Sequence, residues 1–125
     1  MKGKAIAVVL VASMPATLAN AETPVGGKGF TCVAQNGAIR RYNIDLQRKR
    51  YQEAGEAPKK IAKIVDAKIT LYNFSAPWGD LYSDTSLDRS TLVLTVYHKT
   101  GQEIISLFFQ CQMGEPFNFA AERQF

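Results

Sequence analysis

The sequence predicts an all-β domain. The expected architecture is a small antiparallel meander barrel, with a two-sheet β-sandwich as the alternative, closed by one disulfide and preceded by an N-terminal signal peptide. Three observations predict it. From Phe30 onward, short β-branched and aromatic runs alternate with turn signals at close spacing. Cys32 lies on the first of these runs and Cys111 on the last. The chain has 125 residues, 46% of them hydrophobic, which suits one domain and is too apolar for a disordered chain.

Residues 1–21 read as a leader. Lys2 and Lys4 give a positive start, Ala5 to Val11 is an unbroken apolar run, and Ala19-Asn20-Ala21 offers small residues for cleavage. The run is too short for a permanent membrane helix, and no later segment is long and apolar enough to be one. The lysine-led, alanine-ended form is bacterial and implies a periplasmic or secreted product. Removing the leader would lower the formal charge from +4 to +2 by taking two lysines.

The divisions expected after the leader are a flexible lead over 22–29, a β-domain over 30–112 and a tail over 113–125. The Gly-Gly-Lys-Gly stretch of the lead has neither the Ser or Thr nor the helix pattern of a phosphate loop, so it reads as linker. Asn36-Gly37 lies between two strand-like runs and predicts a hairpin, because both residues tolerate the positive φ of a type I′ turn. Tyr42, Ile44 and Leu46 alternate with Arg41, Asn43 and Asp45, as in a half-buried strand. A polar strand over 49–54 ends at the Gly55–Pro58 break. Residues 59–66 fit helix and strand equally. Residues 68–74 favour strand by composition. Residues 75–83, with Pro77-Trp78-Gly79, read as an exposed loop. A hairpin turning at Asp88-Arg89-Ser90, a turn at Thr100-Gly101 and an apolar strand over 104–111 complete seven or eight strands.

Ile44-Asp45-Leu46-Gln47-Arg48 and Leu87-Asp88-Arg89-Ser90-Thr91 echo each other, each putting an apolar-Asp pair before a polar turn. Asp suits that place because its carboxylate accepts backbone N–H groups of the turn. In an oxidising compartment Cys32 and Cys111 pair. Such a bridge needs Cα atoms within ~7 Å, so the first and last strands must meet. A meander whose ends meet is a barrel.

Candidate chemistry is sparse. With one His and two Cys, a Cys/His zinc site is excluded and no cofactor is implied. His98 stands at a strand end with no nucleophile elbow to serve. Asp80, Asp84 and Asp88 sit in loop-like surroundings without calcium-loop spacing. Asn73-Phe74-Ser75 matches a glycosylation sequon that a bacterial source would not use. Charge is more telling. Residues 40–68 hold nine bases against four acids, and residues 69–125 hold three against six. The basic region attracts anionic partners or protects sheet edges from pairing. Arg40, Arg41, Arg48, Lys49 and Arg50 are the candidate steering residues, and Trp78 is the candidate anchor. The terminal Phe125 matches the last strand of outer-membrane barrels, but the chain is too short for their walls.

The segment Leu87-Asp88-Arg89-Ser90-Thr91-Leu92, with Cys32 early and Cys111 late, resembles small exported proteobacterial proteins that carry an apolar-Asp-Arg-x-Thr hairpin motif and one disulfide. That resemblance implies no activity and assigns no site. In size and stapling the chain is also similar to periplasmic lysozyme inhibitors, without their loop motifs. The expected function is a non-enzymatic exported binding module, inhibition included, for an anionic envelope component or protein. Nucleic acid and an integral membrane span are not expected. A lipocalin-like small-ligand carrier is the alternative, and a hydrolase comes last.

Overall fold

The structure, a computed structural model, describes residues 24–122. The expected leader over 1–21 and the end of the tail, including Phe125, lie outside the described residues. The strands are β1 (Lys28–Ala34), β2 (Ile39–Asp45), β3 (Arg50–Glu53), β4 (Lys59–Lys60), β5 (Lys63–Val65), β6 (Lys68–Ser75), β7 (Leu81–Asp88), β8 (Val93–Thr100) and β9 (Glu103–Gly114). A single helical turn, α1 (Phe119–Glu122), follows.

All nine strands form one antiparallel sheet in the order β4-β3-β2-β1-β9-β8-β7-β6-β5. The sheet curls into a half-barrel, so the barrel reading holds over two separate layers. β1 and β9, the first and last strands, pair at the middle of this order. Cys32 faces Cys111 there in register and is bridged to it, with Cα atoms 3.9 Å apart. The opening falls instead between consecutive strands, β4 and β5. These are only two and three residues long, and the chain crosses between them at Ile61 and Ala62. Ile61 N–H donates to the Lys49 carbonyl, whereas Ala62 N–H donates to Thr70 on the other flank.

Phe30, Tyr42, Ile44, Tyr51, Ile69, Leu71, Leu87, Leu94 and Phe109 fill the core with the disulfide. Leu71 is the extra residue of a bulge between Thr70 and Tyr72 and is buried on the same inward row as Ile69. Several elements differ from expectation. Residues 59–66 resolve into β4 and β5, which raises the count to nine. The expected loop over 75–83 shrinks to five residues, Ala76–Asp80. Gly79, at φ 82°, closes that turn, and Phe74 and Ser75 pair with Ser83 and Tyr82.

The described part of the lead, from residue 24 on, packs on the sheet. Lys28 and Gly29 already belong to β1, and Val25 is buried. The glycines allow close approach: a Cβ on Gly27 would strike the Ile44 carbonyl, and one on Gly29 the Glu115 carbonyl. Asn43, fully buried, ties both ends of the described chain to β2. Its amide donates to the Val25 and Phe117 carbonyls, and its side-chain oxygen accepts from Phe117 N–H. Phe119 is buried beneath the tail, and Phe117 stacks on it.

One end of the sheet is broader than the other. β1 stops at Ala34, opposite Phe109. β9 continues from there to Glu103 with β8 alone beside it. Residues 72–75, 81–86, 95–100 and 103–108 therefore form a four-stranded wing that extends past β1.

Candidate functional site

Strand alternation decides where each candidate basic residue goes. Arg40 and Arg41 are adjacent in sequence and point to opposite faces of β2. Arg40 turns inward: its guanidinium lies 5.6 Å over the Phe109 ring, bonds the Tyr42 hydroxyl at 3.3 Å and stands 3.9 Å from Glu53. Arg41 turns outward and holds the tail. It packs over Phe117 and Phe119 at 5.2 and 5.5 Å and makes two 2.9 Å bonds to the Glu122 carboxylate. Those bonds keep the Glu122 carboxyl below its ordinary range.

Arg48 and Lys49 occupy the β2–β3 turn, and Arg50 opens β3. Trp78, 69% exposed, sits in the β6–β7 turn at the far end of the strands. The six residues therefore do not form one patch. Lys59, Lys60 and Lys63 are exposed on the two edges that face the opening, the usual position for lysines that discourage stray strand pairing.

The apolar-Asp echo has a structural basis. In the β2–β3 turn, Asp45 Oδ1 accepts Arg48 N–H at 3.0 Å. In the β7–β8 turn, Asp88 Oδ1 accepts Ser90 N–H at 2.8 Å and Thr91 N–H at 3.3 Å. The residue four positions after each Asp has positive φ: 57° at Lys49 and 58° at Leu92. Both carboxyls are held below their ordinary range. The first cause at Asp45 is the Arg48 N–H, and at Asp88 it is the Ser90 hydroxyl.

These two turns border one cleft of about 570 Å³ at the narrow end of the half-barrel. Asp45, Leu46 and Gln47 contribute from the first turn, and Arg89, Ser90 and Leu92 from the second. Phe30, Ile44, Ile69 and Leu87 make its apolar floor, and Lys28 stands on its rim. Its volume falls within the ~300–1,000 Å³ common for small-molecule sites. The arrangement combines an apolar interior with two cations, Lys28 and Arg89, the Asp45 carboxylate, which Arg48 partners at 3.3 Å, and the hydrogen-bonding groups of Gln47 and Ser90.

His98 is not an isolated turn residue. The β7–β8 register puts Ser83 opposite it. Ser83 Oγ lies 2.6 Å from Nδ1 and Thr100 Oγ1 lies 3.0 Å from Nε2. Counting outward from the Asp88–Val93 turn would have found this pair. A hydroxyl stands where a triad places its orienting carboxylate, so the cluster fixes the ring between two strands. Asp80 lies apart in the upper turn, whereas Asp84 and Asp88 stand on the same outer face of β7 and line one shallow groove with Lys68 and Ser86. Among the described residues, no group of three or more His, Cys, Asp or Glu side chains could hold a metal. Among them, too, no helix is long and apolar enough to cross a membrane. Compared with known proteins, the chain matches no family model, no curated protein and no solved structure.

Proposed function

We propose that the protein is an exported, non-enzymatic binding module that takes an anionic amphiphile, an acyl chain ending in a carboxylate or phosphate, at the narrow mouth of its half-barrel. The single observation behind this reading is the cleft bracketed by the two Asp-capped turns, apolar within and carrying Lys28 and Arg89 at its edge. An acyl chain would lie against Ile44, Ile69, Leu87 and Leu92, and its head group would meet the two cations. The leader-like residues 1–21 and the Cys32–Cys111 bridge support a periplasmic or secreted location. Envelope lipids are anions of this chemistry. The reading keeps the anionic partner expected from charge and moves the recognition from the arginine run to the mouth.

Titration with a fluorescent medium-chain fatty acid tests it. Saturable binding is expected, together with a one-to-one complex in a native mass spectrum. Reversing both Lys28→Glu and Arg89→Glu should weaken binding about tenfold or more, the scale of a lost charge-assisted hydrogen bond of ~1.5–3 kcal/mol. Trp78→Ala, at the other end, should change nothing. Failure to saturate, or equal affinity after both reversals, would overturn the proposal.

A further inference from the structure

The outer face of the wing carries a trough that the mouth does not use. Strand alternation sets Tyr82, Asp84, Ser86 and Asp88 of β7 outward, with Thr95 and Tyr97 of β8 and Phe108 of β9 on the same face. The register staggers the three rings. Asp84 pairs with Tyr97, and Thr95 with Phe108, so Tyr82, Tyr97 and Phe108 step diagonally across three strands. Tyr82 and Tyr97 meet edge to face at 5.6 Å, and Phe108 is 62% exposed. Below this diagonal stand the shorter side chains of Ser86, Thr95 and Val93. Rings on one side, and Lys68 and Asp88 on the other, leave a groove of about 560 Å³ between them. A second groove, of about 430 Å³, shares Lys68 and Asp88 and continues past Thr70 to Val65 at the β5 edge.

The polar groups of the groove are held in place. Asn73 Nδ2 donates to the Tyr82 hydroxyl, which donates to Asp84 Oδ2, each at 3.1 Å. Asp84 Oδ1 is buried and has no hydrogen-bond partner among the described residues, so it is an acceptor short of a donor. The χ2 torsion of Asp is soft, so a hydroxyl in the groove can meet it. Asp88 is fixed by Ser90 and Thr91 of its turn and faces Lys68 across the β6–β7 register. These groups select by exclusion. A hydrocarbon would take water from Asp84, Asp88 and Lys68 and return no hydrogen bonds. A cation would meet Lys68, and an anion would meet two carboxylates. A neutral ligand with its own hydroxyls satisfies all three, and flat C–H faces suit the negative faces of exposed rings.

We infer that this groove binds a neutral saccharide chain. Sugar rings lie on Tyr97 and Phe108, and their hydroxyls donate to Asp84 and Asp88 and accept from Lys68. The run of the groove on to the β5 edge suits a chain of several units. The site is separate from the mouth. The β7–β8 turn directs Asp88 and Thr91 to the groove, and Arg89, Ser90 and Leu92 to the mouth. Each proposal can therefore fail without the other.

Isothermal titration of the full oxidised chain with neutral hexasaccharides of glucose, mannose, galactose and N-acetylglucosamine tests the site. Saturable binding of at least one is expected, with weaker binding of hexaglucosamine, a cation, and of hexagalacturonate, an anion. Phe108→Ala removes a ring, and Ser86→Trp fills the floor. Each should weaken the saccharide about tenfold or more, with the circular dichroism spectrum and the fatty-acid titration of the mouth unchanged. Asp84→Asn keeps the shape and should weaken it about fivefold, the difference between a charged and a neutral acceptor. Saccharide binding that survives either Phe108→Ala or Ser86→Trp would overturn the proposal. So would tighter binding of either charged chain, or no binding of any neutral one.

Discussion

The narrow half of the molecule and the wing are made from the same strands and treat hydrophobic residues in opposite ways. In the narrow half, β1 to β3 face β6 to β9 across a filled interior, the disulfide joins the two sets, and the lead and tail cover β2. In the wing, β6 to β9 continue without β1, and side chains such as Phe108 and Ile104 meet water on a bare strand edge. Phe108 and Phe109 show the contrast within two residues: one is 62% exposed and the other 2%. Folding stability is therefore concentrated in the narrow half.

The sharpest way to break this contrast is to remove the bridge. Replacing Cys32 and Cys111 by Ser frees a loop with a sequence separation of 79. By loop-closure entropy this should cost ~4–5 kcal/mol, a large share of a small domain's stability. Urea unfolding measures it, and a loss under ~1 kcal/mol would show that the strands hold register without the bond.

Next in size is the comparison of the two adjacent phenylalanines. Phe109→Ala empties a core position beneath Arg40 and should cost ~3–5 kcal/mol. Phe108→Ala should fall within ~0.5 kcal/mol of wild type, because the ring is exposed. Equal losses would mean that the wing is packed against something in solution and is part of the folding unit.

The smallest effect is alkaline. Burial, the first cause, pushes the Tyr51 hydroxyl from 10.0 up to about 12. Its neutral form is favoured in the folded state. That contribution is fully present below pH 10 and is lost as pH rises from 10 through about 12. Tyr51→Phe should flatten the fall in stability over this window. Burial also raises the Tyr42 hydroxyl, so part of the fall should remain. An unchanged profile would place the alkaline weakness elsewhere in the molecule.

Much of the narrow half was legible in the sequence. The Asn36-Gly37 hairpin, the pairing of the two cysteines and the apolar-Asp turns are local signals, and each appears in the fold, although Gly37 takes positive φ and Asn36 does not, so the turn is not type I′. The wet face expected of Arg41, Asn43 and Asp45 does not appear: Asn43 and Asp45 are buried, because the lead and tail cover that side of β2. The faces of the arginines were not legible. Arg40 and Arg41 read as one basic pair until the register of β2 separates them. The mouth was hidden for a related reason, since its walls come from turns far apart in sequence that only the curl of the sheet brings together. The Gly-Gly-Lys-Gly stretch misled in the other direction. Glycine marks both flexible linkers and tight backbone contacts, and Gly27 and Gly29 are of the second kind. Ser83 and His98 needed one further step, counting a hairpin register outward from its turn.

Asn43 gathers the segments around Val25 and Phe117 at one point of β2, while the sheet stands open at Ile61-Ala62. Sequence order and spatial order therefore differ only by where the polypeptide is cut. A circular permutant with a short linker across Asn43 and new ends at Ala62 would lay its strands down from one border to the other in succession. It would leave the staple and both Asp-capped turns in place.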